Sequence, residues 1–468
     1  MAKRCLKSLL LAAAVLASGC AVLEPALPAA EPSIPAEWPL PPTTIETPAA
    51  TAAADIGWRD FFTDPRLEAV IERALANNRD LRVAVLNIEK ARAQYGIQRA
   101  DRVPSLGANA ALARTGGSDR PVTEVYTADL AITEFELDLF GRVRNLSESA
   151  LQRYFAQEEA RRSAQLALIA AVANAYLNLA ANQEQLRIAQ ETLRTREEYF
   201  ALTEKRYELG AESALELSLA RTQVESARAE AARYAGLVAQ DKNALNLLVG
   251  AQVEPALLPE AFDESVTGLG ALPARLPSEV LLRRPDVLAA EHQLLAANAN
   301  IGAARAAFFP RISLTGNLGT ASADLSGLFE NTVWTFTGQL LQPLFDAGRN
   351  QATLDATRAA HAIAVAQYEK AIQVAFREVA DALAGRATLD DQLAALQAQV
   401  QAEARRVELA ELLLRGGVAS QIDRLDAERS LLIARQAVVL LQQARLQNSV
   451  LMYRVLGGGA GPAMVASR

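Results

Sequence analysis

The chain has 468 residues, 51% of them hydrophobic but only 5% aromatic, and a formal net charge of −7. That length allows several domains, and the lack of any basic block argues against nucleic acid as a partner. With only Cys5 and Cys20, no disulfide framework is available.

The first twenty residues read as a lipoprotein signal. Lys3, Arg4 and Lys7 precede a short apolar run from Leu9 to Leu16, and Ala17-Ser18-Gly19-Cys20 is a small-residue cleavage site ending on cysteine. Eight apolar residues fall well short of the ~20 that a membrane span needs. Residues 1–19 are therefore expected to be removed and Cys20 to carry covalent lipid. Ala21, rather than an acidic residue, follows the cysteine, which favours the outer membrane as destination. No later run of 18 uncharged apolar residues is expected, so a membrane crossing would have to use strands.

Residues 20–55 are rich in proline, with eight between 24 and 50, and form an extended tether. Asp64-Pro65 is a helix start, and the spacing of Leu67, Val70, Ile71, Leu75 and Leu81 predicts one helix to about Arg102, ended by Pro104. Alternating residues predict strands near 105–114 and 126–139, with Thr115 to Asp119 as the loop between them. The apolar phase of the second strand slips near Thr133, from Leu130 and Ile132 to Phe135 and Leu137, as a bulge would cause. Between Gly141 and Gly210 there is no proline or glycine, and Val172, Leu179, Leu186, Leu193 and Phe200 recur every seven residues. That is one very long supercoiled helix, followed after Gly210 by another to Gly250.

The pattern then repeats. A linker at 251–277 with four prolines separates a first structural repeat, 56–250, from a second, 278–457, with a tail at 458–468. Arg284-Pro285-Asp286 mirrors Asn78-Arg79-Asp80, and Gly348, Gly417 and Gly457 mirror Gly141, Gly210 and Gly250. Strands near 311–320 and 333–342 show one apolar face (Ile312, Leu314, Leu318; Trp334, Phe336, Leu340) and one small polar face. Lipid outside and water inside produces that alternation, although a half-buried hairpin on a soluble sheet would too. Four strands per chain cannot close a barrel, so the barrel reading requires an oligomer.

Each long helix ends in a similar turn. Gly210 with Ser213, and Gly417 with Ser420, combine a glycine that ends one helix with a serine able to cap the next. His292 and His361 are the only histidines and share no ligand spacing. No phosphate loop, nucleophile motif or metal motif appears, so neither an enzyme nor a resident cofactor is expected beyond the lipid on Cys20.

Four blocks carry a resemblance: FELDLFGR at 135–142, LPSEVLLRRPD at 276–286, AARAAFFP at 303–310 and VAQYEKAI at 365–372. They resemble the outer-membrane efflux channel lipoproteins of the OprM/TolC family, in its OprM-like (NodT) branch, over nearly the whole mature chain. The resemblance implies a mainly α fold with a membrane β-barrel: a tandem repeat of helix, β-hairpin, long helix and helix, forming a trimeric twelve-stranded barrel, a periplasmic α-helical barrel and an equatorial domain. It implies a homotrimer acting as a passive exit duct, docked to a periplasmic adaptor (membrane fusion protein) and an inner-membrane pump of the resistance-nodulation-division (RND) type. It places adaptor docking around Arg206, Gly210, Ser213, Arg415, Gly417 and Ser420. It also places Ile422 and Asp426, with Asp423 as a further candidate, at a closed periplasmic mouth. Helix-capping chemistry is the plainer reading of the two serines and of Asp423. A lipid-anchored periplasmic coiled-coil spacer without a pore is the competing function.

Overall fold

The computed structural model describes residues 23–27, 34–35, 56–260, 262 and 278–458. Cys20, the signal segment, most of the tether and the linker, and the tail after 458 lie outside them. The chain forms two compact units. One comprises Met1–Pro32, Val85–Ala160 and Leu288–Ala371, the other Ser33–Ala84, Arg161–Val287 and Ile372–Arg468.

Helices α1 (Trp58–Phe61), α2 (Pro65–Asn77) and α3 (Arg79–Ala100) lead into strands β1 (Leu106–Gly117) and β2 (Arg120–Glu136). The long α4 (Arg142–Glu208) and α5 (Ala214–Val249) complete the first repeat. The second contributes α6 (Pro285–Ala306), β3 (Arg311–Ser322), β4 (Thr332–Leu341), α7 (Arg349–Arg415) and α8 (Gln421–Val455). Both long helices have 67 residues, about 100 Å of helix each.

The single helix expected from Asp64 to Arg102 is two. Asn78 breaks it: its side chain accepts from Leu81 N at 2.9 Å and donates to the Leu248 carbonyl at 2.8 Å. A buried asparagine therefore caps α3 and ties the end of α5 to it. The loop expected at 115–119 also contracts. β1 extends through Gly117, and only Ser118 and Asp119 turn the hairpin.

In the first unit the four strands form one antiparallel sheet in the order β1-β2-β3-β4. Its register aligns Ala108, Leu130, Leu318 and Trp334 in one row, and Leu106, Ile132, Gly316 and Phe336 in the next. Leu106, Leu130, Leu318, Trp334, Phe336 and Leu340 share this face and are each more than half exposed. The opposite face carries Asn109, Asp129, Asn317, Thr335 and Gln339. Between Ile132 and Phe135 the register with β3 shifts, and Glu134 adopts φ +49°. This bulge returns Phe135 to the apolar face and explains the phase slip.

The middle pairing, β2 with β3, leaves no room at Gly319. A Cβ there would lie 2.2 Å from the Ala128 carbonyl oxygen and 2.4 Å from Asp129 Cα. Both contacts are backbone and cannot yield. Gly319→Val is expected to cost about 1–3 kcal/mol, read as a lower guanidinium unfolding midpoint. A wild-type midpoint would contradict the tight seam.

In the second unit the centre of α4 is the core, with Ile169, Val172, Tyr176, Leu177 and Leu179 almost fully buried. One 18-residue window of α4 is, contrary to expectation, long and apolar enough to cross a membrane, but 61% of it is buried. Its apolar surface is used in packing, and Asn178 within it accepts from Gln443 and Gln447 of α8 at 2.5 and 2.7 Å. Val379 and Leu393 of α7 are buried as well. Helix α7 continues through Gly385, where a Cβ would lie 2.7 Å from Asn448 Nδ2. Glycine is there for the close approach of α8.

Candidate functional site

The two helix-to-helix turns of the second unit are built by the same local rules. At the first, Ala211 N donates to the Arg206 carbonyl at 2.8 Å and Gly210 N to the Tyr207 carbonyl at 2.9 Å. At the second, Val418 N donates to Leu413 O at 2.9 Å and Gly417 N to Leu414 O at 3.1 Å. Both are Schellman closures with the glycine left-handed, at φ +71° for Gly210 and +70° for Gly417. Ser213 and Ser420 are the N-caps of α5 and α8, accepting from Glu216 N and Asp423 N.

Beyond the caps the turns differ. Asp423 completes a capping box, accepting from Ser420 N at 2.8 Å and Ser420 Oγ at 2.7 Å. Glu216, its counterpart, instead accepts from the Tyr199 hydroxyl at 2.8 Å. Burial and that hydrogen bond push the Tyr199 phenol up to about 12. Arg206 and Arg415 remain mostly exposed, with only long pairings to Glu212 and Glu411. Around them Leu209, Leu215 and Val418 are each more than three-quarters exposed, and Ile422 is 66% exposed. Sequence reasoning missed the first three, whose signal was apolar side chains flanking a glycine turn. An isolated chain gains nothing from displaying them, so they form a surface suited to contact.

Asp426 sits one helical turn after Ile422 and is held by two arginines. Arg406 of α7 donates to one carboxylate oxygen at 2.6 Å and Arg429 of α8 to the other at 2.8 Å. The hydrogen bond from Arg406 holds the Asp426 carboxyl below the ordinary aspartate value. Hydrogen bonds from Ser420 do the same to Asp423. Within one chain the neighbouring donors thus favour the charged form of both carboxyls.

A second link joins α8 to α4. Arg196 of α4 and Arg424 of α8 both hold Glu428, at 2.6 and 2.7 Å, with all three side chains less than one-fifth exposed. Arg424 also lies 5.0 Å from the Tyr199 ring centre. Ile422, Leu425, Asp426 and Arg429 line one side of a groove of about 630 Å³, faced by Thr192 of α4 and Leu219 of α5.

The remaining candidates do not gather. His292 meets Gln152 at 2.7 Å and packs on Phe155, and burial lowers the pKa of His361. Among the described residues no group of three or more His, Cys, Asp or Glu side chains is placed to hold a metal ion.

A family model described as outer membrane efflux protein matches residues 70–251 and again 276–458. The chain is 48% identical to a probable efflux pump outer membrane protein, TtgC, of Pseudomonas putida, over 88% of this chain and 87% of that one. It is 44% identical to the cation efflux system protein CusC of Escherichia coli, over 88% and 90%. Among solved structures it is similar to the open state of the Neisseria gonorrhoeae MtrE outer membrane channel. That match has a TM-score of 0.86 and 40% identity, covering 94% of this chain and 99% of that one.

Proposed function

The chain belongs to the outer membrane efflux protein family and is an outer-membrane channel of an efflux system; from that premise we propose that it works as a homotrimeric exit duct. The observation that carries this reading is the sheet. It has four strands, two outer edges with no partner strand among the described residues, and one apolar face on which six large side chains are more than half exposed. An open edge is not tolerated in lipid, and three copies would close twelve strands into a barrel. The polar face then lines water, and passage requires no catalytic step. A pore-free spacer has no use for the exposed apolar face.

Lipid on Cys20 would hold each copy to the outer membrane. The two turns, with Arg206, Gly210, Ser213, Arg415, Gly417 and Ser420 and the exposed Leu209, Leu215 and Val418, would receive a periplasmic adaptor. An inner-membrane pump of the RND type would load the duct and choose the cargo.

Ile422 and Asp426 would form the narrow periplasmic mouth, with Asp423 holding the start of α8 through its capping box. In this reading Arg406–Asp426 keeps α8 against α7, and the mouth opens when such ties release. The test is single-channel conductance of the purified trimer in a planar bilayer. Asp426→Asn, which removes the charge from the pair, is expected to raise conductance at neutral pH. A carboxylate with a depressed pKa contributes above its ordinary value and is lost only as pH falls through the lower one. Wild-type conductance should therefore hold through mild acid and rise only below the ordinary aspartate range, a transition that Asp426→Asn lacks. Equal conductance of both proteins at neutral pH would remove Asp426 from the mouth.

A further inference from the structure

A short stretch behind Cys20 lies against α6 and has no part in the mouth or the turns. Arg305 donates to the Leu23 carbonyl at 2.9 Å. Asn298 donates to the Pro25 carbonyl at 3.0 Å and to the Glu24 carboxylate at 2.8 Å. Asn298 is only 2% exposed. A buried amide donor without a partner is costly, so the position is built to receive this strand of chain. A tether that merely spaced the protein from its lipid would need no such seat.

The contacts also set a direction. Asn298 and Arg305 are seven residues apart on α6, which is about 10.5 Å along the helix. The earlier residue, Leu23, meets the later one, Arg305. Residues 23–25 thus run antiparallel to α6, and going back toward Cys20 leads toward the end of α6 at Ala306. The sheet begins just beyond, at Arg311 of β3. Cys20 is three residues before Leu23, so its Cα lies no more than about 11 Å from that of Leu23. In the intervening turn Phe308 and Phe309 are each 40% exposed, offering apolar surface where acyl chains would arrive.

We propose that Asn298 and Arg305 form a clamp on residues 23–25 that delivers the lipid of Cys20 to the rim of the sheet, beside Phe308 and the start of β3. The ligand is the acylated N-terminus of the same chain, and the proposal rests on the reading that Cys20 is lipidated. The clamp fixes where around the barrel each lipid enters the leaflet, so the anchor acts as a locator and not only as a leash.

The experiment uses full-length protein from cells fed a fatty acid with a photoactivatable diazirine, which enters the lipid on Cys20. After irradiation of the assembled protein in membranes, labelled peptides are mapped by mass spectrometry. Label is expected to concentrate on the peptide bearing Phe308 and Phe309. In Asn298→Ala/Arg305→Met that label should fall about tenfold and spread. If the double variant fails to assemble, Arg305→Met alone, at a half-buried position, should lower it about threefold. Label spread evenly over the barrel, or unmoved by the substitutions, overturns the clamp. An N-terminal peptide without acyl mass also overturns it, while wild-type conductance in the same preparation would leave the channel reading standing.

Discussion

Leu130→Arg is expected to remove the protein from the outer membrane, whereas Ala131→Arg, one residue along the same strand, is expected to leave it there. Leu130 lies in the row Ala108, Leu130, Leu318, Trp334 on the apolar face and is half exposed. Ala131 pairs with Gly107 and Asn317 on the polar face. An arginine facing lipid near the bilayer middle costs about 2–4 kcal/mol, and a trimer would incur it three times. On the polar face the guanidinium meets water, and the change should appear as altered ion selectivity. The measurement is the amount of heat-modifiable trimer in outer-membrane fractions, followed by reversal potentials. Comparable loss for both variants would mean the two faces are wrongly assigned.

The second large effect is expected at Arg284→Ala. This side chain is 8% exposed, pairs with Asp286 at 2.7 Å and Glu378 at 2.7 Å, and donates to the Val455 carbonyl at 3.1 Å. It thus gathers the start of α6, the middle of α7 and the last turn of α8. In the first repeat Asn78 performs the corresponding task on the Leu248 carbonyl at the end of α5. Removing the cation unpairs Asp286, which is 40% exposed, and leaves Glu378 only its 3.6 Å pairing with Arg454; discounted for that exposure, the roughly 3–5 kcal/mol of a fully buried pair becomes about 2–3 kcal/mol. Arg405→Ala is the control: its partner Glu408 is one turn away and both are more than 60% exposed, so little should change. Guanidinium unfolding followed by circular dichroism would compare them. Coincident midpoints for the two variants would show that Arg284 does not hold these helices.

Features set by a few neighbouring residues were legible in the sequence. A left-handed glycine ends a helix and a serine three residues on starts the next, so both turns could be placed to the residue. The bulge at Ile132–Phe135 was legible because a one-residue slip moves every later side chain to the other face. Features that depend on distant partners were not. Nothing near Asn78 marks a break, since its partner Leu248 is in another helix. Gly116 and Gly117 suggest a loop, but Gly117 still pairs with Arg120 of β2. Ile422 and Asp426 came from a resemblance, and the ion pairs that hold the start of α8 to its neighbours did not emerge at all. Arg406 and Asp426 belong to separate helices, as do Arg196 and Glu428, and only helix pairing brings each couple together.

The tight seam at Gly319 joins two hairpins of very different origin. Each hairpin pairs residues that are close in the chain, whereas Tyr126 meets Ser322 almost two hundred residues later. Local ribbons form quickly, and pairings that close a long loop form late. The ribosome must therefore reach β3, in the first third of the second repeat, before the sheet has its middle, and a protein truncated between the repeats would carry a lone ribbon with two sticky borders. Such a fragment is fated for aggregation or proteolysis, and any helper that escorts this chain has to shield its first hairpin until the second arrives.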